Sequence, residues 1–286
     1  MTNCIEIKGL SKSYGDFALK NINLTLPGGS ILGLIGENGA GKTTTIKCIL
    51  NLIHRDAGEI SLLGYDNVRE ERLAKQDIGL VLDECFFSDT LRPLDLDKIL
   101  APAYREWDRQ LFRSYLEKFG LPEKKLIKEF SRGMKMKLSL SAALAHRPRL
   151  LILDEATAGL DPVVRDEILD EFLGFIQDED HAILMSSHIT SDLEKVADYI
   201  AYIHQGEVVL SDAKDAILDS YGRVGCTAAQ LETINPADVL RTRRGAFGAE
   251  ALVKDRAAFA RKYPMLLVER TTLEDIMLFV GKGEAK

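Results

Sequence analysis

Residues 30–44 read SILGLIGENGAGKTT. An apolar run ends in glycine, a glycine-rich turn follows, and a lysine and threonines open the next segment. The run reads as a buried strand leading into a loop. After Lys42, the residues Ile46, Ile49 and Leu50 recur at helical spacing. Between strand and helix lie Gly36, Glu37, Asn38, Gly39, Ala40, Gly41, Lys42, Thr43 and Thr44, which fit G-x-x-x-x-G-K-[ST] in its strand–loop–helix setting. Glycines let the backbone wrap closely around oxygens, and backbone N–H groups and the helix N-terminus then face an anion. Lys42 offers a mobile positive charge to β- and γ-phosphates, and Thr43 a hydroxyl to Mg²⁺. A glycine-rich turn with a surface lysine is the bland alternative, and it does not account for the strand before and the helix after.

Outward from this loop, the first sixty residues are strand-rich: "IEIKGL" and "LKNINLTLP" both alternate, and "IGLVL" (residues 78–82) is a further strand. From Pro93 to about Leu144 the helical period takes over, in "DLDKILAPAYREW", "RQLFRSYLEKFG" and "GMKMKLSLSAALAH". Then "RLLILDEA" reads as a strand, "VRDEILDEFLGFIQ" as a helix and "AILMSS" as a strand. "DLEKVADYIAYIHQGEVVLSD" reads as a helix followed by two strands around a turn. Strands alternating with helices predict a parallel α/β sheet, with the helical block inserted between two core strands. The pattern weakens near Asp215. Residues 216–286 hold short strand and helix candidates such as "AEALVKD" and "TTLEDIMLFV", with no chemical motif, and read as a small C-terminal module.

The bulk numbers narrow the function classes. The chain has 286 residues, 46% hydrophobic and 28% charged, ordinary for a globular protein. Its net charge of -7 argues against a protein whose main task is gripping nucleic acid. Cys4, Cys48, Cys85 and Cys226 are scattered without metal-site spacing and read as reduced thiols of a cytosolic protein. No signal core opens the chain, and no apolar run reaches the roughly 20 residues that span a bilayer. A membrane role must then come through a partner.

The strand "LLILDEA" ends in Asp154 and Glu155. Adjacent acids at a buried strand end are costly unless a cation or a reacting water uses them. Beside a phosphate loop, Asp154 is the natural Mg²⁺ partner and Glu155 the candidate general base, or the group that orients the attacking water. A helix N-cap pair is the alternative. Further back, "FSRGMKMKL" (residues 130–138) places Ser131, a good N-cap residue, and Gly133 at the start of a helix with a stripe of Met134, Leu138, Ala142 and Ala145.

The order "GENGAGKTT", "FSRGM", "LLILDEATAGLD", "SSH" resembles that of ATP-binding cassette ATPase domains, over roughly residues 3–215. The resemblance implies a P-loop (RecA-like) α/β core with an antiparallel β subdomain and a helical subdomain at about 85–148, within a cassette of residues 1–215. Residues 216–286 would be an extension. It further implies a head-to-tail dimer with two ATP molecules, each with Mg²⁺, sandwiched between chains. By the same resemblance Tyr14 stacks on adenine, Asp161 communicates across the dimer and His188 contacts the γ-phosphate. Ser131 and Gly133 touch the γ-phosphate held by the other chain. The family's usual glutamine after the "IGLVL" strand is here Asp83, able to ligate Mg²⁺, with Glu84 as the alternative if the alignment shifts by one. The usual Leu-Ser-Gly-Gly-Gln becomes Phe130, Ser131, Arg132, Gly133 and Met134.

The wording "SRGMK" and a "TLEDIM" element (residues 272–277) resemble ATP-binding subunits of ABC-2-type bacterial exporters. That likeness implies an ATPase on the cytoplasmic face of the plasma membrane, working with a separate transmembrane permease. It would pair with itself or with a sister ATP-binding subunit. A non-transport ATPase acting on ribosomes or nucleic acid is the alternative, but such members carry two cassettes with a charged linker or long coiled coils, and this chain shows neither. A P-loop phosphotransferase finds no support in "FSRGM" or His188.

Overall fold

The computed structural model describes residues 2–245 and 248–284. The chain starts with β1 (Asn3–Tyr14) and β2 (Phe17–Pro27), then β3 (Ser30–Ile35), α1 (Lys42–Ile49), β4 (Ala57–Leu62), β5 (Tyr65–Asp66), α2 (Glu71–Ala74) and β6 (Ile78–Val81). Three helices follow, α3 (Pro93–Leu100), α4 (Arg109–Lys118) and α5 (Arg132–Leu144), before β7 (Leu150–Asp154). Next come α6 (Pro162–Phe175), β8 (Ala182–Ser187), α7 (Thr190–Val196), β9 (Tyr199–His204) and β10 (Glu207–Ala213). The remainder is α8 (Lys214–Ser220), β11 (Gly222–Cys226), α9 (Ala228–Thr233), β12 (Arg241–Gly245), β13 (Gly248–Val253), α10 (Arg256–Lys262), β14 (Val268–Arg270) and α11 (Leu273–Lys282).

The central sheet runs β10-β9-β3-β8-β7-β6, all parallel except β10. Every residue of β3, β7 and β8 is buried, as parallel strands covered on both faces must be. Alternate side chains divide between two cores. Leu32, Leu34, Leu150 and Ile152 join the core under the antiparallel sheet β2-β1-β4-β5, while Ile31, Ile35, Leu151 and Leu153 join the core under the helices. The expected α/β core, antiparallel β sheet and inserted helical block are all present. The helical residues leave from β6 and return in β7, and those two strands are hydrogen-bonded neighbours, Ile78 opposite Leu150 and Val81 opposite Leu153.

Register fixes where the loops emerge. Ile35 lies opposite Ser187, and Asp154 opposite Ser186. The loops after β3, β7 and β8 therefore leave the sheet side by side at the carboxyl ends of parallel strands, where ligands of open α/β sheets bind.

Residues after 215 build a third sheet, β12-β13-β11-β14, over a core of Val224, Ala251, Val253 and Phe259. The last helix does not stay with it. Leu273, Ile276 and Phe279 of α11 belong to the same core as Leu193 of α7 and Tyr202 of β9. Tyr202 Oη donates to the Met277 carbonyl at 3.2 Å, and Leu273 N–H donates to Glu194 Oε1 at 2.8 Å.

These burials set a contrast in stability. Leu153→Ala opens a cavity beneath the central sheet and should lower the unfolding free energy by about 2–5 kcal/mol, whereas Leu267→Ala, at a side chain 70% exposed, should change it by less than about 0.5 kcal/mol. Urea titration followed by circular dichroism measures both.

Candidate active site

The loop after β3 is shaped by close backbone approaches. A Cβ on Gly36 would lie 2.4 Å from the Ile203 carbonyl oxygen, and one on Gly41, at φ 118°, would lie 2.6 Å from Leu19 Cδ2. Neither position admits a side chain. The turn between β9 and β10 supports the loop from outside, with Gly206 N–H donating to the Ala40 carbonyl at 3.0 Å.

Gly41 caps α1 without any side-chain hydrogen bond, and the first turn of α1 carries no acid. The N–H groups of that turn are the ones an α-helix cannot satisfy internally, and they carry the positive end of its dipole. The Lys42 side chain is buried among oxygens. Its Nζ donates to the Gly36 carbonyl at 2.8 Å and to the Glu37 carbonyl at 3.4 Å, and pairs with Glu155 Oε1 at 3.3 Å. The ammonium sits inside the ring of backbone that an anion would occupy.

The loop after β7 supplies the carboxylates. Asp154 is buried, and one oxygen, Oδ1, accepts from Ser186 Oγ at 2.5 Å. The same Oγ accepts from Glu155 N–H at 3.1 Å. Ser186 thus holds both acids. Glu155 takes φ 53°, a left-handed conformation uncommon outside glycine, asparagine and aspartate, and costing on the order of 1 kcal/mol or more. The bend aims its side chain back across the site, where Oε2 lies 2.6 Å from His188 Nδ1 while Oε1 meets Lys42. One carboxylate therefore joins the loops after β3, β7 and β8.

A cleft lined by Glu37, Asn38, Gly39, Gly41, Lys42, Thr43 and Thr44 also takes in Asp83, Glu155 and His188. Gly36, Ala40 and Asp154 are buried behind that surface. Tyr14 is not among the lining residues. It stands 45% exposed with Lys12 Nζ 5.3 Å from its ring centroid, and the aromatic that lines the cleft is Phe17. Ser131 caps α5, its Oγ accepting from Met134 N–H at 3.2 Å, and Asp161 caps α6, Oδ1 accepting from Val163 and Val164 N–H at 3.1 Å each. Ser131, Gly133 and Asp161 do not line this chain's own cleft, although Arg132 does. A Cβ on Gly159, the glycine two residues before Asp161, would lie 2.8 Å from Arg132 Nη1, so the start of α5 rests on the loop that leads to α6. Lys135 and Lys137 are each engaged, with Asp89 at 2.8 Å and Glu167 at 2.5 Å. Of the basic residues in this stretch, only Arg132 is directed at the cleft.

Two residues here went unnoticed in the sequence, Phe17 and Ser186. Phe17 starts a strand just after the Tyr14 position, and Ser186 is the first serine of "SSH". Each had a neighbour that drew the assignment instead.

Comparison with known proteins agrees with the geometry. The family model for ABC transporters matches residues 19–158. The lantibiotic transport ATP-binding protein SrtF of Streptococcus pyogenes is 35% identical over 214 residues, covering 74% of this chain and 91% of SrtF. The linearmycin resistance ATP-binding protein LnrL of Bacillus subtilis is 35% identical over 248 residues, covering 84% of this chain and 78% of LnrL. That match is too long to lie within residues 1–215 alone. A solved structure described as the ATP-binding subunit of an ABC transporter superposes with a TM-score of 0.69 at 28% identity, covering 75% of this chain and 91% of that one. The chain belongs to the ATP-binding subunits of ABC transporters, a family of ATPases.

If Lys42 is the phosphate-binding charge, Lys42→Ala should weaken ATP binding by at least about 100-fold, the loss expected when a buried, hydrogen-bonded charge contact is removed. Titration calorimetry of the purified chain measures this, and unchanged affinity would refute the assignment.

Proposed function

We propose that this chain powers export through a separate transmembrane permease, hydrolysing ATP at two sites shared between paired cassettes. The observation that carries the reading is Glu155 paired with both Lys42 and His188 at the mouth of a helix N-terminus that no side chain caps. Phosphate oxygens compete with Glu155 for Lys42. An ATP γ-phosphate drawn onto the α1 N-terminus takes the ammonium, and Glu155 is released from one of its two partners. Its freed oxygen accepts a proton from, or orients, the water that attacks the γ-phosphorus. His188 keeps the other oxygen and so fixes the direction of the carboxylate.

The donor set suits Mg²⁺. A hydroxyl (Thr43) and one buried carboxylate (Asp154) add to phosphate oxygens and water, the mixture Mg²⁺ prefers over an all-protein cage. Asp83, in the same cleft, offers a second carboxylate. A bound ion would neutralise charge on the β- and γ-phosphates, and Ser186 holds the Asp154 carboxylate through its Oδ1.

The second half of each site comes from a second copy or a sister subunit. Ser131, Gly133 and the N-terminus of α5 reach the γ-phosphate of that chain. The first turn of α5 holds no acid, and Arg132 adds positive charge beside it, so the turn is suited to an anion. Asp161 acts across the same interface. Tyr14, at the end of β1 and paired in the hairpin with Phe17 of β2, provides the ring for adenine, and Phe17 lines the cleft.

Two features favour a membrane partner on the cytoplasmic face of the plasma membrane. Phe86 is 72% exposed, three residues after Asp83. Beside it lies an apolar groove of about 240 Å³ lined by Leu80, Phe87, Leu100 and Tyr104. A permease segment seated there would touch the Asp83 loop and feel the state of the nucleotide. No helix among the described residues is long and apolar enough to cross a membrane. SrtF is named for lantibiotic transport and LnrL for linearmycin resistance, which points to antibiotics or peptides as the class of cargo.

Glu155→Gln should bind ATP and accumulate as a dimer, with turnover reduced by at least about 100-fold. Light scattering with and without ATP, alongside phosphate release, reads both effects; turnover at the unaltered rate would overturn the role of Glu155. Purified from its host, the chain should bring an integral membrane protein with it, and recovery with ribosomes alone would favour the non-transport alternative.

A further inference from the structure

The last turn of α11 ends against the phosphate loop. A Cβ on Gly281 would lie 1.9 Å from Glu37 Oε1, 3.0 Å from its Cδ and 3.8 Å from its Cγ. Glu37 is the residue after Gly36, so its backbone belongs to the phosphate loop while its carboxylate rests on a helix of the C-terminal segment. The glycine is not there for its backbone. Gly281 lies within a regular helix and is absent from the positive-φ glycines. Inside a helix glycine is about 1 kcal/mol worse than alanine. What it provides is room.

The helix that offers this seat is fixed from both sides. Toward the cassette, Leu273, Ile276 and Phe279 are buried, and the Tyr202 hydroxyl holds the Met277 carbonyl. Burial first, and the nearby Glu37 charge second, push that hydroxyl's pKa up to about 12, so it stays a donor. Toward the C-terminal sheet, Arg243 of β12 lies over the Phe279 ring at 5.6 Å, and the backbones of Thr242 and Glu284 exchange two hydrogen bonds of 2.8 Å. Arg223 of β11 meets Asp275 at 3.3 Å. The position of α11 therefore follows the C-terminal sheet as well as the cassette.

Glu37 is a liability where it stands. Glu37 itself borders the same cleft as Lys42, Thr43 and Glu155, and a carboxylate turned further into that cleft repels phosphate. We propose that Gly281 is a positioning residue for the phosphate loop: having no side chain, it seats the Glu37 carboxylate on α11, away from the phosphates, and so ties ATP affinity to where the C-terminal sheet holds that helix. The proposal rests on the nucleotide-site reading above. It gives residues 216–286 a part in that site without any contact between them and ATP.

The test compares four full-length chains: unaltered, Gly281→Ala, Glu37→Gln and the double variant. ATP affinity with Mg²⁺ is measured by titration calorimetry, and thermal stability without nucleotide by differential scanning calorimetry. Alanine is the better helix former, so Gly281→Ala should keep or raise the melting temperature while displacing the carboxylate, and its ATP affinity should fall about tenfold. Glu37→Gln removes the charge and should bind ATP more tightly than the unaltered chain. In that background Gly281→Ala should cost less than about twofold, because little is left to repel. An unchanged affinity in Gly281→Ala, or an equal loss with and without the Glu37 charge, would overturn the proposal. Failure of the unaltered chain to bind ATP would sink the nucleotide-site reading beneath it.

Discussion

The structure turns on one buried ammonium. Lys42 Nζ is held by the carbonyl of Gly36 and the carboxylate of Glu155 in a space that excludes most water. An isolated charge there would be costly, and the pairing is what makes the burial tolerable. Everything that positions those two partners is then constrained. Gly36 must stay glycine because a Cβ there would lie 2.4 Å from the Ile203 carbonyl oxygen. Glu155 must bend into a left-handed conformation, and Ser186 must bind its N–H to keep it there. The three parallel strands must stay in register, since a slip of one residue would turn these side chains to the opposite face.

On the function proposed above, the same pair is what responds to ATP. A salt bridge between two groups that both have better partners in the nucleotide-bound arrangement is a switch. In the proposed reaction Lys42 would gain phosphate oxygens and Glu155 a water to orient. The left-handed backbone of Glu155 lies at this junction, consistent with strained backbone concentrating at functional positions. Around this centre, Asp83 and Arg132 at the start of α5 line the same cleft, and α11 packs between the cassette core and the C-terminal sheet.

Much of this was legible in sequence. The glycines and lysine of residues 36–42 announce a phosphate loop because backbone cradling demands them, and the helical stripe of α5 follows from Leu138, Ala142 and Ala145, all buried. The adjacency of β6 and β7 was readable from a helical block interrupting a β/α alternation. What was hidden depends on distance in the chain. The pairing of Glu155 with both Lys42 and His188 crosses three strands, and a left-handed glutamate has no local signature. Tyr14 and Phe17 are three residues apart, and only the hairpin geometry shows that Phe17 lines the cleft. The seat of Glu37 on Gly281 joins residues 244 positions apart across two sheets, and no motif at either end points to the other.

The central claim is that each active site is completed by a second chain. Complementation between two inactive variants tests it. A Lys42→Ala chain keeps a sound α5 N-terminus but has lost its phosphate loop charge; a Ser131→Ala chain with Gly133→Ala has the opposite defect. Mixed, they form dimers in which the intact phosphate loop of one chain faces the intact α5 of the other. The account predicts that phosphate release, low for each chain alone, returns in the mixture. A mixture no more active than the sum of its parts would contradict a shared site and place all of the chemistry within a single chain.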